Sequence, residues 1–175
     1  KDTDEQVDWA GPLVILTNRV SASASEIVSG TLKDYKRAVV VGGDHTFGKG
    51  TVQSVEYLPP GLGAIKTTVG MFFVAGGNST QHRGVNADIV WPSVYSSDEI
   101  GEKTLDYSLP PKKIKEFLSP SAYVTEGKNA WKPLQQAVID KINKKSLDRI
   151  SKSDDFKKVR EEIVKIKKRG FDLVI

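Results

Sequence analysis

The chain has 175 residues, 38% of them hydrophobic and 27% charged, the size and composition of one folded domain or one domain with an appendage. It has no cysteine, which excludes disulfides, thiolate metal sites and cysteine nucleophiles, and no apolar run approaches the ~18 residues of a membrane-spanning helix. The net charge of +4 is unevenly placed: residues 1–111 carry 9 Lys+Arg against 13 Asp+Glu and residues 112–175 carry 17 against 9, so the basic character sits in the tail.

Residues 1–10 (KDTDEQVDWA) read as an acidic surface approach to a strand. With no initiator Met, the chain reads as part of a longer polypeptide whose signal segment would lie upstream. Leu13-Val14-Ile15-Leu16 is a short apolar run of the kind that makes a buried strand. A Ser/Ala segment follows. Glu26 to Lys36 then places Ile27, Val28, Leu32 and Tyr35 at helical spacing. Ala38 to Val41 predicts a second buried strand, ended by Gly42-Gly43 and a loop from Asp44 to Gly50. Thr51 to Leu58 and Ala64 to Val74 predict two strands paired across the turn Pro59-Pro60-Gly61-Leu62-Gly63. Residues 84–111 read as irregular. Beyond them the pattern is helical: a short helix over Lys112 to Leu118, then Ala130 to Ile150 and Asp155 to Lys168.

Two segments can carry chemistry. The first, Asn18-Arg19-Val20-Ser21-Ala22-Ser23-Ala24-Ser25-Glu26, joins a strand to a helix. A serine at such a turn presents its hydroxyl at the sheet edge, and the N–H of the next residue, Ala24, can hold a developing oxyanion. Ser23-x-x-Glu26 is equally the form of a capping box, in which Ser23 only starts the helix. The second segment is Thr46-Phe47-Gly48-Lys49-Gly50-Thr51-Val52-Gln53. A lysine is a base only when neutral, so a catalytic Lys49 needs burial or a nearby positive charge; otherwise it is a solvated surface charge. Gln53 can orient the amine or simply bond within its loop.

Other readings of the same residues stay open. Gly43 to Lys49 spells most of a phosphate-binding P-loop, but Gly50 stands where Ser or Thr would hold magnesium, and a strand rather than a helix follows. A histidine base would have to be His45, whose neighbour Asp44 is poorly placed to orient it, or His82, which reads as an exposed loop residue. The basic tail can be an interaction module for acidic protein, lipid headgroups or nucleic acid. Without interleaved aromatics, nucleic acid is not expected.

Taken together, residues 18–30 (NRVSASASEIVSG), 34–43 (DYKRAVVVGG) and 46–53 (TFGKGTVQ) resemble the active-site core of the carboxyl-terminal processing, or tail-specific, serine proteases of family S41. Lys66-Thr67-Thr68 and Gly84-Val85-Asn86-Ala87-Asp88-Ile89 extend the resemblance, which runs over residues 11–111 and more loosely beyond. It implies an α/β fold: a crotonase-like (ClpP-like) protease core of β-α-β units in residues 1–111, then a basic helical C-terminal region in 112–175. It implies Ser23 as nucleophile, Lys49 as general base and Gln53 as its support, with no metal and no cofactor. The substrates implied are proteins or peptides with apolar C-terminal tails, and the location implied is the periplasm or cell envelope of a bacterium.

The family's PDZ domain and the Gly-rich strand that completes its oxyanion hole are not visible in residues 1–175. The Ser-to-Lys spacing is one residue longer than the family pattern, with Gly43-Asp44-His45 where two residues are usual. The competing expectation is an inactive protease-like scaffold whose basic tail binds partners.

Overall fold

The structure, a computed structural model, describes residue 7 and residues 9–169. The remainder of the acidic N-terminal segment therefore lies outside the described residues. Strands β1 (Val14–Thr17), β2 (Val39–Gly42) and β5 (Ile89–Val90) form a parallel sheet in the order β1-β2-β5, with Val14 opposite Val39 and Val41 opposite Ile89. Helix α1 (Ala24–Asp34) connects β1 to β2, as parallel strands require a crossover. The chain is mixed α/β.

The central strand β2 is covered on both faces. Val39, Val40 and Val41 are 4%, 0% and 5% exposed, so an unbroken apolar run is what the position demands. β1 departs from the expectation of a buried strand: Val14 and Leu16 are 57% and 68% exposed. It lies at the sheet edge with one face uncovered, and a run of four apolar residues does not distinguish that case from full burial. β5, inside the stretch read as irregular, is two residues long and too short to leave a periodic signal.

Asp88, in the turn before β5, ties three elements together. It accepts from the Val40 N–H (2.9 Å) and from Lys33 Nζ on α1 (2.6 Å), while its own N–H donates to Val40 O (2.7 Å). Gly30 lets α1 sit close to the loops beneath it, since a Cβ there would lie 2.6 Å from Val74 Cγ1 and 3.1 Å from Val85 Cγ2.

Strands β3 (Thr51–Tyr57) and β4 (Ala64–Met71) form the expected antiparallel hairpin, with an irregularity between Val52 and Gln53. Residues 112–118 are not the short helix expected. They run extended beside residues 75–79, where Ser79 N–H donates to Lys112 O (3.0 Å) and Ile114 N–H to Gly77 O (2.8 Å). Helices α2 (Gln136–Lys152) and α3 (Asp154–Arg169) follow. α2 starts six residues later than predicted, because Pro133 precedes it and the Leu134 N–H is drawn to Lys36 O (2.9 Å). Leu134 and Ile139 pack with Trp91 against Val39, Val41 and Ile89. Trp91 donates to Ser146 Oγ (3.1 Å) and meets Phe156 edge-on at 5.9 Å. No helix among the described residues is long and apolar enough to cross a membrane.

Candidate active site

The turn between β1 and α1 is built by its own short side chains. Asn18 Oδ1 accepts from the Val20 N–H (3.0 Å), and Ser21 Oγ accepts from the Asn18 N–H (3.1 Å). Ser23 then has φ 57° and ψ −114°. An ordinary helix N-cap is in the extended region, and a left-handed, β-carbon-bearing residue costs about 1–3 kcal/mol, so the surroundings must over-determine this conformation. Backbone outliers of this kind cluster at functional sites. The N–H of the next residue, Ala24, opens α1, and no acceptor takes it among the described residues. It is free for an oxyanion.

Glu26 supplies the restraint. Its side chain is fully buried and its two oxygens take four donors. Oε2 accepts from the Ser23 N–H (2.8 Å) and the Lys49 N–H (2.9 Å). Oε1 accepts from the Gly48 N–H (2.7 Å) and from Thr46 Oγ1 (2.5 Å). One carboxylate oxygen thus joins the backbone of Ser23 to that of Lys49, and their amide nitrogens lie no farther apart than those two bonds allow. Burial raises the pKa of Glu26 above the ordinary 4.5, against the opposing pull of the donors, Thr46 first among them. Read from sequence, Glu26 was only the last member of a capping box. Its half of the box is present, but the same oxygens also reach 20 to 23 residues along the chain.

Lys49 is half-buried, and its Nζ donates to Thr51 O (2.7 Å). No hydrogen bond joins it to Ser23 Oγ among the described residues, although an ammonium has three donors and Thr51 uses one. The flanking glycines are dictated by packing. Gly48 has φ +93°, and a Cβ on Gly50 would lie 2.7 Å from the Gln81 backbone nitrogen. Gln53 is exposed on β3 and is not brought to Lys49 by a hydrogen bond. The irregularity beside it, at Val52/Gln53, is where the side-chain direction of the strand can shift.

Arg19 and Asp44 form a second link. Arg19 is 4% exposed and holds Asp44 through two parallel bonds, Nε to Oδ1 (2.7 Å) and Nη2 to Oδ2 (2.5 Å). Nη1 donates to Ser97 O (3.0 Å) and Ile100 O (3.1 Å). The guanidinium bond, with support from the His45 N–H, lowers the Asp44 pKa from 3.8 to about 2 against burial. Asp44 is thereby committed to Arg19, and His45 Nδ1 faces Thr46 O (2.6 Å), which disfavours a His45–Asp44 pair. His82 is not the exposed loop residue expected: it is part-buried with Nε2 2.8 Å from Ser108 Oγ. The P-loop reading fails as well. Strand β3 follows Lys49, and the Gly48 and Lys49 N–H groups that would cradle phosphate are spent on Glu26.

One carboxylate thus ties the strained Ser23 turn to the glycine-flanked Lys49, beside an unpartnered helix N-terminal amide. Residues 1–91 match peptidase family S41 and residues 95–172 match the C-terminal domain of tail specific protease; the chain belongs to peptidase family S41. It is 37% identical over 170 residues to the tail-specific protease of Haemophilus influenzae, covering 93% of this chain and 23% of that protein. It is 43% identical over 89 residues to the carboxy-terminal-processing protease of Bartonella bacilliformis, covering 50% of this chain and 19% of that one. The chain therefore spans less than a quarter of the length of these two relatives. Among solved structures it is similar to a photosystem II D1 C-terminal processing protease, at 35% identity and a TM-score of 0.42 over 51% of this chain and 26% of the other.

Proposed function

We propose that this chain carries the nucleophile and the base of a serine endopeptidase that cleaves proteins recognised by their C-terminal tails. The observation that carries the reading is the shared Glu26 oxygen, which couples a strained Ser23 to Lys49. Ser23 Oγ attacks the scissile carbonyl carbon while neutral Lys49 takes its proton. The Ala24 N–H donates to the oxygen as it becomes negative, and collapse of the tetrahedral intermediate expels the amine, protonated by Lys49. Water, deprotonated by Lys49 Nζ, then attacks the acyl-Ser23 ester, and Lys49 returns that proton to Ser23 Oγ as the C–Oγ bond breaks and the acid leaves. To accept the proton, Lys49 Nζ exchanges or shares its bond to Thr51 O, a rotation within reach of a four-carbon side chain. Gln53 on β3 steadies the amine once it has turned.

The reading includes a crotonase-like (ClpP-like) core in residues 1–111 followed by a basic C-terminal region in 112–175, whose α-helices begin at Gln136. A PDZ domain elsewhere in the polypeptide would deliver the apolar tail, and the setting would be a bacterial periplasm or cell envelope. The test is cleavage of an unfolded reporter with an apolar C-terminal tail by the full chain, by Ser23→Ala and by Lys49→Ala. Cleavage lost in both variants supports the dyad. Cleavage retained by folded Lys49→Ala removes the lysine from it, and no cleavage by a folded native chain supports the inactive-scaffold reading instead.

A further inference from the structure

The lysine loop is held on one side by Glu26 and on the other by groups that the dyad does not use. Gly48 O accepts from the His82 N–H (2.8 Å), and Lys49 O accepts from Thr80 Oγ1 (3.2 Å). The Gly50 N–H donates to Gln81 Oε1 (2.8 Å). Because that N–H can only donate, the Gln81 amide is oriented with its nitrogen away, and this nitrogen donates to Glu102 Oε1 (3.3 Å). Glu102 closes the ring through its own N–H, which donates to Phe47 O (2.9 Å). Gln81 is 0% exposed and Glu102 is 8% exposed. Glu102 also lies within residues 95–172, the part that matches the C-terminal domain.

A fully buried glutamine has a strong reason to be there, since an amide stripped of water must find partners for both ends. Leucine would fill the same space at no such cost. Here the two ends are spent on the residue after Lys49 and on a carboxylate from the C-terminal part of the chain. We propose that Gln81, backed by Glu102, is a positioning residue for Lys49. It fixes the Gly50 amide, and with it the direction in which the lysine leaves the backbone. Through Glu102, the segment that matches the C-terminal domain reaches into the base loop. The inference rests on Lys49 being the base.

The experiment uses the full chain with the reporter above and compares Gln81→Leu, Gln81→Glu and the exchanged pair Gln81→Glu with Glu102→Gln. Gln81→Leu strands the Gly50 N–H, and a lysine displaced by even 1 Å lowers kcat by about 10- to 100-fold. KM stays within about twofold, because substrate contacts are untouched. Gln81→Glu keeps an oxygen toward Gly50 but sets a second carboxylate against Glu102, so kcat falls again. Exchanging the pair restores the amide-to-carboxylate bond in reverse and recovers kcat, a rescue that simple space-filling would not produce. Gln81→Leu with a lowered Tm but native kcat per folded molecule overturns the proposal, as does an exchanged pair that regains Tm without regaining kcat.

If Lys49→Ala proves active, the dyad falls on its own account. The brace is then judged by hydrogen exchange across residues 48–53: faster exchange in Gln81→Leu upholds it, and unchanged exchange overturns it.

Discussion

Replacing Glu26 by glutamine changes one oxygen to a nitrogen at unchanged side-chain shape and should impair the site. The carboxylate takes four donors, three of them backbone N–H groups that can only donate. An amide offers one acceptor and puts an NH2 where the other was. If the NH2 replaces Oε2, the Ser23 and Lys49 N–H groups are both stranded. If it replaces Oε1, Gly48 alone is stranded and Thr46 can turn its hydroxyl to accept. The second arrangement costs less: one buried donor left unpaired, at about 1–3 kcal/mol, with the remaining bonds weakened by loss of charge. The expected loss of stability is about 2–4 kcal/mol, read as a lower urea midpoint at unchanged slope. Because the stranded Gly48 N–H faces the new NH2 and directly precedes Lys49, the lysine loop should shift, and kcat should fall by about 10- to 100-fold while KM changes little. Glu26→Gln with a urea midpoint and kcat within twofold of native would refute the reasoning that this carboxylate couples nucleophile to base.

Other perturbations follow from the same geometry. Burial raises the pKa of Glu26, so the folded chain binds this proton more readily than the unfolded one, and the urea midpoint of native protein should gain on that of Glu26→Gln as pH falls into the carboxylate range. Asp44 works in the opposite sense. With its pKa lowered from 3.8 to about 2, its stabilisation is full above the unfolded value and is lost as pH falls. The difference in urea midpoint between native and Asp44→Asn should therefore be constant above pH 3.8 and close as pH approaches about 2. Gly30→Ala sets a methyl 2.6 Å from Val74 Cγ1. Overpacking of about 1–3 kcal/mol, against roughly 1 kcal/mol of improved helix propensity, should leave a lower Tm. Gly50→Ala drives a Cβ to within 2.7 Å of the Gln81 nitrogen and should cost kcat more than KM.

The elements that announced themselves were those whose pattern is local. Alternation and a Pro/Gly turn revealed the β3–β4 hairpin, and unbroken valines revealed β2. Helical spacing revealed α1 and α3. What stayed hidden depends on distant partners. Lys112 to Leu118 has helical spacing in isolation, but residues 75–79 offer it a backbone ladder and win. Whether Val14 and Leu16 are covered is decided by neighbours that a four-residue run cannot report. At the site, Ser23 and Lys49 stand out through the family resemblance; on their own residues Ser23 reads equally as a helix cap and Lys49 as a surface charge. Glu26, Thr46, Gln81 and the Arg19–Asp44 pair were not legible, since their work lies in contacts across 20 to 31 residues of sequence. Thr46 and Glu26 both stand inside the motifs that carry the family resemblance, and that was the available signal.

The most direct measurement of the central claim is mass spectrometry of the full chain quenched during turnover of an activated ester. Native protein should carry the acyl group on the peptide that contains Ser23. Lys49→Ala, still folded, should fail to form it on the same time scale. Acylation of another residue, or acylation of Ser23 at the native rate without Lys49, would contradict the dyad.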